Sequence, residues 1–286
     1  MAVDPEGSES RAVPAELVLY ESDGSVGIIT VNRPDKLNAI SPRLMHAWWD
    51  ALRTAEADES TSVVVLRSEG RSFCVGFDIS GAEPEPGQKV YGHDALSRHA
   101  MLAEGLEFML AHWYLRKPVI ASVQGHAVGG GCEIALLCDI TIAAADAVFG
   151  EPEVRFSDPG PGLIMPWIIG YKRARELHYL GDLIDAPTAL ELGMVNRVVP
   201  TEELRTETLA YAHRMALIAP EALAAAKLGI NRGADAAGFR SAIHAGLDVV
   251  APVYAAETGV GKEFRDRAAR DGLKAALAWR RAQFDQ

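Results

Sequence analysis

The stretch from Val119 to Asp139, VIASVQGHAVGGGCEIALLCD, constrains this chain more than any other. Val119 to Val123 reads as a buried strand, Gly125 to Gly131 as a glycine-rich turn, and the remainder as a helix with Glu133 in its first turn and an end near Asp139. The consecutive glycines Gly129 to Gly131 let backbone approach a ligand closely and take φ values that a side chain forbids. The first N–H groups of the helix have no intrahelical acceptor and carry partial positive charge. A strand–glycine–helix junction of this kind favours an anion. Two common anion sites fail on spacing. A phosphate-binding P-loop needs Lys-Ser/Thr after its second glycine, where this chain has Gly131-Cys132. A dinucleotide fingerprint needs a third glycine where this chain has Ile134. Glu133 would also set negative charge beside a phosphate. A transient oxyanion with a carboxylate close by to move a proton fits better. Taken alone, the triplet also fits a tight turn that only packs helix on strand.

The 286 residues allow one large domain, or one domain with an appendage. A net charge of −11 disfavours nucleic acid and membrane surfaces, and it gives no global attraction for an anionic substrate. Cys74, Cys132 and Cys138 form neither a disulfide framework nor a metal spacing, which fits reduced thiols and a cytoplasmic address. Met1 to Ala15 lacks the basic and apolar regions of a signal peptide and reads as a disordered tail. No stretch approaches the ~20 apolar residues of a membrane span.

Along the chain, Leu17 to Tyr20 and Val26 to Val31 read as strands joined at Ser22-Asp23-Gly24. Ser41-Pro42 is a helix start, with serine at the N-cap and proline at the first helical position, and the helix runs to about Ala57. The wholly apolar run Val63 to Leu66 suits a parallel strand covered on both faces. Ser80 to Gly92, rich in Pro, Gly and Glu, reads as a mobile loop, and Asp94 to Arg116 as a long helix. Ile140 to Ala144 is a further strand. The order implies an α/β architecture. Beyond Thr201 the chain is alanine-rich and helical.

Gly129-Gly130-Gly131-Cys132-Glu133-Ile134-Ala135 with Cys138-Asp139 resembles the signature of the crotonase superfamily, the enoyl-CoA hydratases and isomerases. The resemblance runs from about Val18 to the C-terminus with its motifs in order. It implies a ClpP-like ββα spiral core over 16–200 and a helical oligomerisation region over 201–286 that builds a homotrimer or homohexamer. By the motif Arg71-Ser-Phe-Cys-Val-Gly-Phe-Asp-Ile79, the oxyanion-hole N–H groups fall on Phe77 and Gly130, with Cys74, Gly76, Asp78, Ile79 and Gly129 around the substrate. Asn32-Arg-Pro-Asp-Lys-Leu-Asn-Ala39 matches the loop that touches coenzyme A, with Lys36 and Asn38 as its contacts. Phe149-Gly-Glu-Pro-Glu153 puts the second catalytic glutamate at Glu153 behind Pro152. Glu151 stands two residues away, and the alternation and the motif favour Glu153.

The resemblance implies an acyl-CoA substrate, with coenzyme A as part of that substrate and no metal or other cofactor. Two carboxylates in different environments can divide acid and base work. That pair places 2-enoyl-CoA hydration first. An enoyl-CoA isomerase, a hydrolase or decarboxylase working through an enolate, and a crotonase-fold scaffold without activity are the alternatives. Two departures bear on the substrate. Phe77 stands where many hydratases have a small residue. Val154-Arg-Phe-Ser-Asp-Pro-Gly-Pro-Gly162 replaces the usual glycine-rich continuation. Asp158 is expected in a surface ion pair with Arg155, the alternative being a third carboxylate in the pocket. His126 is expected to pack or cap the turn.

Overall fold

The computed structural model describes residues 16–80, 89–256 and 258–285. The expected N-terminal tail and residues 81–88 of the expected loop lie outside the described residues. The elements come in the order β1 (Val18–Asp23), β2 (Val26–Val31), α1 (Pro42–Ala57), β3 (Val63–Ser68), α2 (Ala95–Tyr114), β4 (Val119–Val123), β5 (His126–Val128), α3 (Gly130–Leu137), β6 (Ile140–Ala144) and β7 (Val148–Gly150). There follow α4 (Met165–Ile169), α5 (Tyr171–Leu180), β8 (Ile184–Asp185), α6 (Ala186–Glu191), β9 (Arg197–Val199), α7 (Leu204–Met215), α8 (Pro220–Ala236), α9 (Phe239–Ala255), α10 (Gly259–Asp271) and α11 (Leu273–Arg281).

The main sheet runs β1-β2-β3-β4-β6-β9. β1 and β2 are an antiparallel hairpin, and every later neighbour is parallel, with Val26 opposite Val63 and Ile120 opposite Ile140. The apolar runs in β2, β3 and β4 follow from cover on both faces. One face packs Ile29, Val64 and Leu66 against Leu44 and Trp48 of α1 and Leu106, Phe108 and Met109 of α2. The other packs Val26, Val63, Val65 and Ile120 under Leu204 and Ala212 of α7. Each such large side chain contributes roughly 1.5–3 kcal/mol by leaving water. α1 starts where the sequence places it: the Ser41 side chain accepts the Leu44 N–H at 3.3 Å and Pro42 opens the helix. Asp94 caps α2 through the N–H groups of Leu96 and Ser97.

A second sheet, β5-β7-β8, is small and positions the chemistry. β5 and β7 pair in parallel with Val128 opposite Gly150, and Gly129 N–H donates to Gly150 O at 2.9 Å. This register lays the turn into α3 beside the segment that begins at Glu151. The C-terminal helices pack on the same body. Phe239 of α9 stacks on Trp113 of α2 with ring centres 4.7 Å apart. Phe264 of α10 stacks on Phe156 at 4.5 Å.

Candidate active site

Two backbone turns meet at the front of α3. Cys74 N–H donates to His126 O at 3.0 Å and Val128 N–H to Cys74 O at 2.9 Å, which ties the 71–79 segment to β5. Ile40 N–H donates to Gly76 O at 2.8 Å and Asp78 N–H to Ile40 O at 3.0 Å. Successive residues of an extended strand send their N–H groups to opposite sides, so this pairing turns the Phe77 N–H away from Ile40. Gly76, at φ +86°, reaches this geometry without steric penalty. A Cβ there would stand 3.1 Å from Gly130 N and 3.0 Å from Val128 O. Gly130 opens α3 and its N–H has no intrahelical acceptor. The two predicted oxyanion donors therefore lie on adjoining strands of backbone.

The carboxyl groups converge on the same front. Glu133, 1% exposed, sits in the first turn of α3. Glu153 lies on a short 3₁₀ helix, Pro152–Phe156, that follows β7. Its Oε1 is so close to Gly129 that a Cβ at that glycine would overlap it. Burial pushes Glu133 up to about 7, opposed by the backbone N–H groups of Ile164 and Leu163 that face its carboxylate. Burial, reinforced by the charges of Glu133 and Asp158, pushes Glu153 up to about 8, against its own backbone N–H. Oε1 of Glu133 and Oε2 of Glu153 are enclosed and have no hydrogen-bond partner among the described residues.

The remaining predicted residues divide into two groups. Lys36 and Ile79 are exposed at the rim. Pro152 starts the 3₁₀ helix, and Gly129 takes φ +57° at the head of α3. Phe77 lays its ring against Gly105 of α2 and Gly130, where it narrows the space behind the turn. Asn38 corrects the expectation of a ligand contact. It is fully buried, its amide donates to Glu69 O and Ser72 O, and its oxygen accepts the Arg33 N–H. Its side chain shapes the loop. The Cys74 thiol is likewise buried and donates to Asn38 O, and Asp78 is held by Arg33 at 2.7 Å. The expected Arg155–Asp158 surface pair does not form. Arg155 pairs with Asp182 and donates to Leu180 O. Asp158 lies largely buried, pushed up to about 6 by that burial against the charges of Arg265 and Arg98. His126 is exposed, its Nδ1 3.4 Å from Ser72 Oγ.

Three residues reach the site without a signal in the sequence. Glu151, read as the lesser of two glutamates, is 3% exposed and faces both Glu133 and Glu153. His178 comes from α5 with Nδ1 3.4 Å from Glu151 Oε2. Tyr254 comes from α9; its hydroxyl lies near the Gly160 backbone and faces Asp158, Glu153 and Glu133. The last two lie outside every motif, and a helical period alone does not tell a site residue from a core one.

The two-sheet α/β core with helices packed on it and a C-terminal run of helices is a crotonase-type fold. Residues 21–256 match the enoyl-CoA hydratase/isomerase family. A protein of Dictyostelium discoideum described as a probable enoyl-CoA hydratase, mitochondrial, is 36% identical over 218 residues, 74% of each chain. An enoyl-CoA hydratase/isomerase structure from Xanthobacter autotrophicus superposes with a TM-score of 0.87 at 35% identity, covering 93% of this chain and 98% of that one. A putative enoyl-CoA hydratase/isomerase from Novosphingobium aromaticivorans gives 0.81 at 28% identity, over 92% and 94% of the two chains. The chain belongs to the enoyl-CoA hydratase/isomerase family of the crotonase superfamily. Among the described residues no helix is long and apolar enough to cross a membrane.

Proposed function

We propose that the protein hydrates a 2-enoyl-CoA thioester to the 3-hydroxyacyl-CoA. The observation that carries this reading is the convergence of Glu133 and Glu153 from two separate elements, each enclosed and each raised to the range where acid and base exchange near neutrality. The thioester carbonyl lies between the N–H groups of Phe77 and Gly130. These donors stabilise the negative charge that grows on oxygen as the double bond is attacked. Glu133, whose carboxylate is faced by the backbone N–H groups of Ile164 and Leu163, takes a proton from water while the water oxygen bonds to Cβ. The π electrons move toward the carbonyl and form an enolate. Glu153 gives its proton to Cα, and a proton returns from Glu133 to Glu153 to restore the starting state. Coenzyme A enters as part of the substrate, and the scheme uses no metal or other cofactor. Lys36, exposed beside the turn, is a contact for the anionic nucleotide end.

The isomerase alternative needs only one carboxylate to shuttle a proton. The two readings separate in one experiment: loss of the conjugated-thioester ultraviolet absorbance with crotonyl-CoA in wild type, Glu133→Gln and Glu153→Gln. Hydration predicts that each variant falls by roughly 10²–10⁴. No loss in a folded wild type overturns short-chain hydratase activity, and turnover of a 3-enoyl-CoA that survives one of the substitutions favours the isomerase. A homotrimer or homohexamer goes with this reading, and light scattering of the purified protein tests it. A scaffold without activity would turn over no acyl-CoA at all.

A further inference from the structure

Glu151 is a buried carboxyl that the hydration scheme leaves without a task. Its Oε2 lies 3.4 Å from His178 Nδ1. The same Oε2 comes within 3.7 Å of the point where a Cβ on Gly160 would stand, and Glu133 Oε1 comes within 4.0 Å of that point. Oε1 of Glu151, Oε1 of Glu133, Oε2 of Glu153 and Nε2 of His178 are all enclosed and have no hydrogen-bond partner among the described residues. The ionisable groups that face Glu151 are Cys132 and Glu133 of α3, Glu153 across Pro152, and His178 of α5. None of these is a permanent cation.

Three carboxylates enclosed together cannot all be charged. His178 supplies no full counter-charge, because burial holds it toward the neutral form. With the neutral imidazole's proton on Nδ1, 3.4 Å from Glu151 Oε2, the carboxyl proton of Glu151 falls to Oε1. We propose that Glu151 is a positioning residue: a neutral carboxylic acid, oriented by His178, whose hydroxyl donates into the Glu133–Glu153 pair and confines the resting negative charge to Glu133. This rests on the reading of Glu133 and Glu153 as the acid–base pair. Without the third acid, Glu133 would lose a donor to its charged form and become a base only at higher pH.

The test uses the full-length protein with Glu151→Gln and Glu151→Leu. Gln keeps a neutral donor; Leu keeps the volume and removes the donor. The expected result is kcat within about 10-fold of wild type for Gln and a fall on the order of 10² for Leu with little change in KM. The acid limb of kcat/KM moves to higher pH in Leu and stays in place in Gln, a difference that lost packing does not produce. A second measurement needs no substrate. Near pH 9 the wild-type minus Glu151→Gln infrared difference spectrum should contain the carbonyl stretch of a protonated carboxylic acid. Absence of that band overturns the proposal. So does a Glu151→Gln variant as inactive as Glu133→Gln, which would mean that the charged form is required, or a Glu151→Leu variant with wild-type kcat and acid limb. If crotonyl-CoA is not turned over at all, the infrared arm still decides the state of Glu151, and the failure belongs to the hydratase reading.

Discussion

Glu133 and Glu153 hold their protons to about 7 and about 8 because burial disfavours the charged carboxylate. An unfolded glutamate releases its proton near ~4.3. Between these limits the native chain binds more protons than the unfolded one, so stability falls as pH rises from about 4.5 through 8. Glu153→Gln removes that penalty. It should unfold at higher denaturant than wild type at pH 8.5, by ~1 kcal/mol or more, and show no such advantage at about pH 3, where both carboxyls are neutral in both states. Equal stability at the two pH values would mean an ordinary solvated carboxylate. Asn38 gives a second expectation at this scale. Its three hydrogen bonds, made by a fully buried side chain, predict a loss of about 2 kcal/mol or more for Asn38→Ala by denaturant titration, with KM for the CoA ester unchanged if the loop refolds around it. What the sequence disclosed here was residue type and motif register. It did not disclose direction: Asn38 and Lys36 share one loop, yet one points inward and the other is exposed. Nor could alternation separate Glu151 from Glu153, since residues two apart share one face of a strand and this segment leaves β7 for a 3₁₀ helix at Pro152; only the motif favoured Glu153.

The elements were legible where one period ran long enough. The apolar runs of β2 to β4 and the capped starts of α1 and α2 stand where composition and cap residues place them. The second sheet was not legible, since β5 and β7 have three residues each and β8 two, too short for any period to register. Yet that sheet sets the distance between the two glutamate segments. The junction at Gly76 shows how element geometry and activity can be separated. Gly76→Ala introduces both a disfavoured φ and a Cβ against Val128 O and Gly130 N, where it displaces the Phe77 and Gly130 N–H groups from each other. It should lower kcat on the order of 10²–10³, as expected for a lost oxyanion donor, besides costing about 1–3 kcal/mol in stability. Gly24→Ala is the control. It has a similar requirement, φ +57° in the β1–β2 turn, but open space around its Cβ. It should destabilise by strain alone and leave kcat unchanged. An equal effect of both substitutions on kcat would remove the link between this turn and the chemistry.

Across the whole molecule, the helices after residue 200 are fastened to the core by a buried charge. Lys227 of α8, 6% exposed, donates to Asp139 at 2.7 Å and to the carbonyls of His112 and Lys117 at 3.2 Å. Asp139 accepts at the same time from Val119 N–H, the first residue of β4, at 2.7 Å. One carboxylate thus joins the end of α3, the start of the central strand and a helix 88 residues further along the chain. Read from the sequence, Cys138-Asp139 was part of a family signature and Lys227 one lysine in an alanine-rich helix; no local pattern links them. Asn231, one helical turn on, donates to Trp113 O at 2.8 Å and extends the seam to α2. Removing Asp139 leaves the Lys227 ammonium enclosed without its partner, which costs more than losing both; the Asp139 side chain is itself part-exposed. Asp139→Asn should therefore destabilise by about 3–5 kcal/mol, and Lys227→Met in the same chain should restore a substantial part of that loss. Equilibrium denaturation of wild type, the two single variants and the double variant closes the cycle. A double variant as unstable as the two single losses added together would mean that Lys227 and Asp139 act independently. In that case the C-terminal helices would be held by other contacts, such as the Asn231 hydrogen bond and the stacking of Phe239 on Trp113 and Phe264 on Phe156.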